Sequence, residues 1–395
     1  MAELRSLVLE LANLPEGPPI VTLYLDARWK DEQQRERVRL FFHERAREAR
    51  ATFAGDDPEA HGIRQTLERL ARFVDGLVNQ DIHPDARGVM VVASEPRGLY
   101  EELFIDQPFE PALFVDSKPR LYPLIEAAAL AKPAYLVQVE ATGATVTELR
   151  AGGVVERQSV EREVPSRHKQ GGWSALRFEQ HIRQHIRLVW VECARLLADI
   201  VKEDGVGPVV LFGQEPTLRA FARELPAALR EQVIALRPMP RDPNDIFELA
   251  RAALEDERVA HEFATIHHVL RQGLADRSGT VGVDDTLVAM NERRVKLLVL
   301  SRRFNARGYR CTSCDALQKT GAMGCGFCGG PTTLVNLREE LVRRAVAQGA
   351  EVLVTPETGP LDVYRGIGAI LRHLSGNERQ RPTLAAATPQ LGAGI

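Results

Sequence analysis

The chain has 395 residues, of which 44% are hydrophobic and 27% charged, with a formal net charge of −3. That length implies about two or three domains, and the composition excludes a disordered or membrane-embedded chain. No apolar run approaches the ~20 residues that would cross a bilayer, and the weak acidity excludes a polycation, so any nucleic-acid contact must come from local patches.

The opening MAELRSLVLELANLPEGPP carries Glu3 and Glu10 among its apolar residues and no small-residue cleavage site. It reads as a helix rather than a signal peptide, and the chain is expected to stay in the cytoplasm, away from membranes. The run IVTLYLD then predicts a strand from Ile20 to Asp26. A charged helix from Asp31 to Arg50 and a second from Ile63 to Asn79 precede strands at Gly88 to Ala93 and Leu99 to Phe104. Proline and charge between Phe114 and Pro123 suggest a linker.

A second unit opens with three alternating runs separated by Thr142-Gly143 and Gly152-Gly153, the pattern of consecutive β-hairpins. A helix from Ser174 to Asp204 follows, then a buried-type strand from Pro208 to Gly213, a helix from Glu215 and a short strand from Val233 to Leu236. The prolines of RPMPRDPND break the chain again, and Asn244 or Asp245 can cap a long helix running to Gly273. The last unit reads as helix Val283 to Met290, strand Val295 to Ser301, a cysteine-rich insert, helix Leu337 to Gln348, strand Glu351 to Thr355 and strand Gly366 to His373. The expected fold is mixed α/β (α+β) in three domains, 1–130, 131–238 and 239–374, with the insert at 309–332 and a disordered tail over 375–395.

The five cysteines divide four plus one. Cys193 shares a helical stripe with Phe178, Ile182, Ile186, Val189, Leu197 and Ile200, which makes it a small buried hydrophobe. Cys311 and Cys314, then Cys325 and Cys328, form two Cys-x-x-Cys knuckles flanked by Gly324, Gly326, Gly329 and Gly330. Each knuckle puts two thiolates on one tight turn, as tetrahedral Zn2+ requires; disulfides, a redox pair or an iron–sulfur cluster are the alternatives. Four thiolates leave no position for water, so such a zinc would be structural rather than catalytic.

No phosphate-loop, zinc-protease, nucleophile-elbow or dinucleotide-binding motif is present, which removes most nucleotide hydrolases, metalloproteases and α/β-hydrolases. His267-His268 reads as an ordinary, partly exposed helical pair. More pointed is the loop with Arg167, His168, Lys169, Gln170, Gly171, Gly172 and Trp173, continued on the helix by Arg177, Arg183 and Arg187. Its charges suit phosphates, its glycines allow close backbone approach, and a tryptophan there can stack on a splayed base; a merely solvated basic turn is the plain alternative.

The run HKQGGWSALRF is similar to the central-domain tip of archaeal and eukaryotic class-I translation termination factors, where Gly-Gly-Gln precedes a Ser-Ala-x-Arg-Phe helix start. GATVTELRAGGVVE resembles that domain's hairpins, and VGVDDTLVAMNERRVKLLVLS the opening of its third domain. The inserted cysteines resemble those of archaeal members, and GIGAILRH, with Gly366, Ile367, Gly368, Ala369, Ile370, Leu371 and Arg372, the closing strand. The chain thus resembles the superfamily that also holds Pelota-like proteins, on its bacterial branch and nearest the Balon type.

The resemblance implies a three-domain ribosomal protein with a decoding-side first domain and a peptidyl-transferase-side second. The family's hydrolytic glutamine aligns with Trp173, so the expected role is A-site entry and ribosome hibernation, delivered by a translational GTPase such as elongation factor Tu, without peptidyl-tRNA hydrolysis. A peptidyl-tRNA hydrolase, rescue or release factor working through another residue is the second reading. An adaptor acting off the ribosome is the third. No catalytic residue is assigned, and whether the chain is an enzyme stays open at this point.

Overall fold

The computed structural model describes residues 2–28, 32–79, 86–105, 107–130, 133–140, 142–150, 153–161, 173–242, 245–275, 278–355 and 359–372. The expected disordered tail lies outside them, as do Asn244 and the loop before Trp173.

The first sheet is antiparallel, in the order β3-β2-β1-β4: β1 is Ile20–Asp26, β2 Gly88–Ser94, β3 Leu99–Ile105 and β4 Ala112–Asp116. Helices α2 (Glu32–Thr52) and α3 (Pro58–Asn79) cover one face, where Val21, Leu23 and Leu25 meet Phe42, Leu67 and Leu70. Helices α1 (Ala2–Ala12) and α4 (Tyr122–Leu130) cover the other, where Ile20, Tyr24 and Met90 meet Leu11 and Leu124. Two covered faces explain why every residue of β1 is buried.

Two expectations need correcting here. α3 begins five residues before Ile63, because Asp57 accepts the Ala60 N–H at 2.8 Å and Pro58 sits in the first turn, where its missing N–H costs nothing. The segment expected to be a linker, 114–123, starts inside β4, whose Phe114 lies opposite Thr22 of β1, and ends inside α4.

The second sheet runs β7-β6-β5-β8-β9. Strands β5 (Ala134–Val139), β6 (Gly143–Arg150) and β7 (Gly153–Glu161) form the expected hairpins, and β8 (Val209–Gly213) and β9 (Val233–Arg237) add in parallel to β5. α5 (Trp173–Asp204) and α6 (Glu215–Glu224) cover one face; Val189, Cys193 and Leu197 of α5 pack on Tyr135, Val137 and Val146. Cys193 is a core residue, and burial pushes its thiol up to about 11. The short α7 (Ala227–Arg230) leads into β9.

The other face of this sheet is covered by the start of α8 (Ile246–Leu274), through Ile246, Ala250 and Ala253. Further along, Ile266 and Val269 of the same helix pack against Val299 and Leu361 in the next core. The two contact points are roughly 20 Å apart along the axis. Between them the helix is largely exposed, its turns joined by ion pairs of Arg258 to Glu255 and Glu262. Asp245 occupies the cap position but makes no side-chain capping bond.

The third sheet runs β10-β16-β11-β15: β10 (Gly279–Val281), β16 (Ile367–Leu371), β11 (Val295–Ser301) and β15 (Glu351–Thr355), with α9 (Val283–Asn291) and α10 (Leu337–Ala347) against it. Asn336 caps α10, its side-chain oxygen accepting the N–H groups of Arg338 at 3.0 Å and Glu339 at 3.4 Å. Asn336→Ala is expected to destabilise the fold by about 1 kcal/mol, read as a lowered midpoint in urea unfolding. Between β11 and α10 the cysteine-rich insert folds as a small antiparallel sheet, β13-β12-β14, from β12 (Arg307–Cys311), β13 (Leu317–Gln318) and β14 (Thr332–Asn336).

Candidate metal centre and central-unit tip

β12 delivers Cys311 directly into the first knuckle, and the turn closes through the Asp315 N–H bonding the Cys311 carbonyl at 3.1 Å. The second knuckle repeats the device, with the Gly329 N–H on the Cys325 carbonyl at 2.8 Å. Gly324 (φ 126°) and Gly329 (φ 74°) occupy backbone regions that a side chain would strain, which is why glycines bracket this turn.

The knuckles face each other. Sγ of Cys311 lies 3.5 Å from that of Cys328, Cys314 Sγ lies 3.6 Å from Cys325 Sγ, and all four sulfurs fall within 4.8 Å of one another. A tetrahedral site with bonds of about 2.3 Å puts its sulfurs roughly 3.8 Å apart, so the cluster has the dimensions of one four-thiolate ion site. Among the described residues no other group of three or more histidine, cysteine or carboxylate side chains converges this way.

Backbone N–H groups point at the sulfurs: Ser313 and Cys314 donate to Cys311 Sγ at 3.3 and 3.4 Å, and Phe327 donates to Cys325 Sγ at 3.4 Å. The Cys314 N–H leads in bringing the Cys311 thiol down to about 6, toward the thiolate that binds metal. Cys314 moves the other way, to about 12, because its surroundings desolvate the charged form. The donor set is all sulfur and soft, and four thiolates would fill a tetrahedral coordination sphere, which fits a structural ion.

At the other candidate site, residues 162–172 lie outside the described chain, so Arg167, His168, Lys169, Gln170, Gly171 and Gly172 have no described position. Trp173 and Arg177 are described only as backbone in the first turns of α5. β7 and α5 bracket the loop, and α5 is held on the sheet through Ile182, Val189, Cys193 and Leu197, all buried. Its opposite face exposes Arg183, Arg187 and Arg195; Arg187 pairs with Glu224 at 2.9 Å.

Residues 119–258 match the model of bacterial archaeo-eukaryotic release factor family 10, a span that includes the whole second sheet and ends within α8. A peptide chain release factor subunit 1 from Thermococcus sibiricus is 25% identical over 355 residues, covering 78% of this chain and 80% of the relative. Its Pyrococcus abyssi counterpart is 24% identical over 349 residues with the same coverage. The chain is similar to the archaeo-eukaryotic release factors.

Among solved structures, the archaeal translation termination factor aRF1 aligns over 94% of this chain and 97% of its own, at 16% identity and TM-score 0.25. Yeast Dom34 aligns over 74% of this chain and 81% of its own, at 13% identity and TM-score 0.42. The matched span runs past residue 238 and takes in the first turns of α8, whose Ile246, Ala250 and Ala253 lie in the second sheet's core.

Two arrangements went unread in the sequence. On α5, His181 and His185 face each other with Nε2 atoms 3.0 Å apart, a contact that the spacing of four residues permits on any helix. At the base of the cysteine insert, Arg310, Arg343 and Arg344 are each less than 10% exposed and gather around Glu340. Burial disfavours the Glu340 carboxylate, but Arg343, Arg310 and Arg344 outweigh it and hold the group below its usual range. No local pattern marks arginines as buried, since that residue type is ordinarily exposed.

Proposed function

We propose that the chain is a ribosome-binding translation factor that enters the A site and acts in ribosome hibernation without hydrolysing peptidyl-tRNA. In this reading residues 1–130 serve the decoding side, 131–238 carry the Gly-Gly-Trp tip toward the peptidyl-transferase centre, and 239–374 carry the metal ribbon, with α8 a rigid link shared by the last two. The release-factor relatives support the ribosomal part. The observation that carries the non-hydrolytic part is Trp173, which follows Gly171-Gly172 at the place where the superfamily has its glutamine.

An indole supplies no amide to orient a water and fills the volume that water needs. Gln170 stands three positions earlier and does not replace it, because the glycines determine which residue reaches the tip. The tip stacks on ribosomal RNA through Trp173, while Arg167, His168, Lys169 and Arg177 meet phosphates. Cys311, Cys314, Cys325 and Cys328 hold a structural Zn2+, the protein works in the cytoplasm, and a translational GTPase of the elongation factor Tu class delivers it. The four-sulfur geometry supports the metal; the sequence resemblance supports the GTPase.

The test is incubation of purified protein with ribosomes carrying peptidyl-tRNA. Co-sedimentation without peptide release is expected. Release by the unmodified chain, abolished by a change at Gln170 or His168, would establish the hydrolase reading instead, and failure to sediment with ribosomes at physiological salt would leave only an adaptor. Lys169→Ala and Arg177→Ala are each expected to reduce the slope of log affinity against log salt by about one, measured by ribosome pelleting across a salt series.

A further inference from the structure

The two residues that flank the first knuckle both leave the cysteine insert and bind elsewhere. Arg310, immediately before Cys311, is 8% exposed and forms an ion pair with Glu16, in the loop between α1 and β1. Asp315, immediately after Cys314, holds a left-handed backbone (φ 61°), and its carbonyl and carboxylate both bind Arg344 of α10, the carboxylate at 3.0 Å. The neighbouring Arg343 donates to the Ala12 carbonyl at 3.3 Å, the last residue of α1, and pairs with Glu340 at 2.6 Å. Chain segments some 300 residues apart therefore meet on Arg310 and Arg343, while Arg344 ties α10 to the end of the knuckle.

The packing agrees with the polar contacts. Val346 and Ala347 at the end of α10 pack into the core that holds Val8, Leu11 and Ala12 of α1. Lys118 lies half-buried against the same group of charges, its amine pushed below the usual lysine range by burial, with Arg343 adding to the effect. The insert itself has almost no core: its own buried cluster is Cys311, Ala316 and Cys325. A piece that small does not order its backbone by apolar burial, and a metal ion supplies what is missing.

We infer that the metal-bound insert is a strut that holds the first unit docked on α10, so that metal loss frees α1 and the Glu16 loop from the third unit. This rests on the four-thiolate site holding a metal. With the knuckle unfolded, Arg310 loses its fixed approach to Glu16 and Arg344 loses Asp315. Arg343 then shares Glu340 with an Arg344 that has no other carboxylate, which weakens the hold on Ala12. The base of the insert stays attached, because Asn291 of α9 clamps Leu317 through bonds of 2.8 and 2.9 Å and Leu317 belongs to the third sheet's core.

Hydrogen exchange on the full-length chain, read by mass spectrometry with and without chelator, tests the coupling. Peptides within 2–19 are expected to exchange roughly ten-fold faster after metal removal, the size of one lost charge-assisted bond, together with those in 307–336, while peptides in 205–237 stay unchanged. Glu16→Gln is expected to produce the change at 2–19 alone, with metal content and residues 307–336 unaltered. Faster exchange in the insert with residues 2–19 still protected, or an unaltered 2–19 in Glu16→Gln, overturns the inference. The zinc content of the purified protein tests the metal reading by itself. In a chain found without metal, a protected 2–19 overturns the coupling too, whereas a freely exchanging 2–19 upholds it.

Discussion

Cys325→Ser is expected to release the metal and unfold the insert over 307–336, leaving the rest of the third unit folded. Cys325 is buried and sits 3.6 Å from Cys314 in the four-sulfur cluster, so a serine removes one of four soft donors and the most protected half of its knuckle. Binding of structural zinc by small ribbon-like peptides supplies on the order of 10–16 kcal/mol. Against that, the insert's own buried cluster is Cys311, Ala316 and Cys325, which cannot hold the backbone once the ion leaves. The surrounding sheet is independent of it: β11 pairs with β15 and β16, and Leu298 and Leu300 pack on Leu341 and Val342 of α10. Elemental analysis should fall from about one zinc per chain to none, with new protease cuts confined to 307–336. Wild-type protein purified without chelator and found to contain no zinc would sink the expectation.

Trp173→Ala is expected to weaken ribosome binding by about 1–3 kcal/mol, the range for one aromatic–base stack, or roughly five- to 150-fold in Kd. The loss should be felt across ribosome preparations irrespective of messenger sequence, since stacking reads a base's face rather than its edge. Trp173→Gln carries a second expectation, because it restores Gly-Gly-Gln on a chain that already has both glycines. If the tip reaches the reactive ester, that variant gains peptide release over the unmodified chain, counted as labelled peptide freed from peptidyl-tRNA on the ribosome. Binding by Trp173→Ala equal to that of the unmodified chain would show that the indole packs on nothing in the complex.

What could be read from the sequence was short-range. The four cysteines announce their pairing because each knuckle closes within four residues and glycines bracket the second. Most helices likewise show through apolar period, since α5 and α10 each bury a face whose spacing is set by helical geometry, while β1, buried throughout, shows as a short apolar run. The Gly171-Gly172-Trp173 run was legible for the same reason: it is local in the sequence.

Tertiary structure decided what depends on partners far along the chain. The ALFVD segment, lying among prolines and charges, is a strand only because β1, some ninety residues earlier, offers it an edge. α8 reads as one uninterrupted helix, and only packing reveals that its two ends lie in different cores. Arginines look like surface residues in any sequence, yet Arg310, Arg343 and Arg344 are buried, because the charges and carbonyls that offset their desolvation come from Glu16, Ala12 and Asp315 as well as from α10 itself. Glu339 is half-buried, its carboxyl pushed upward by desolvation while it accepts the N–H groups of Leu121 and Tyr122 at 3.1 and 3.2 Å. Local periodicity records which face of an element is apolar; it holds no record of which distant residue will meet that face, and the interface between the first and third units is made of such meetings.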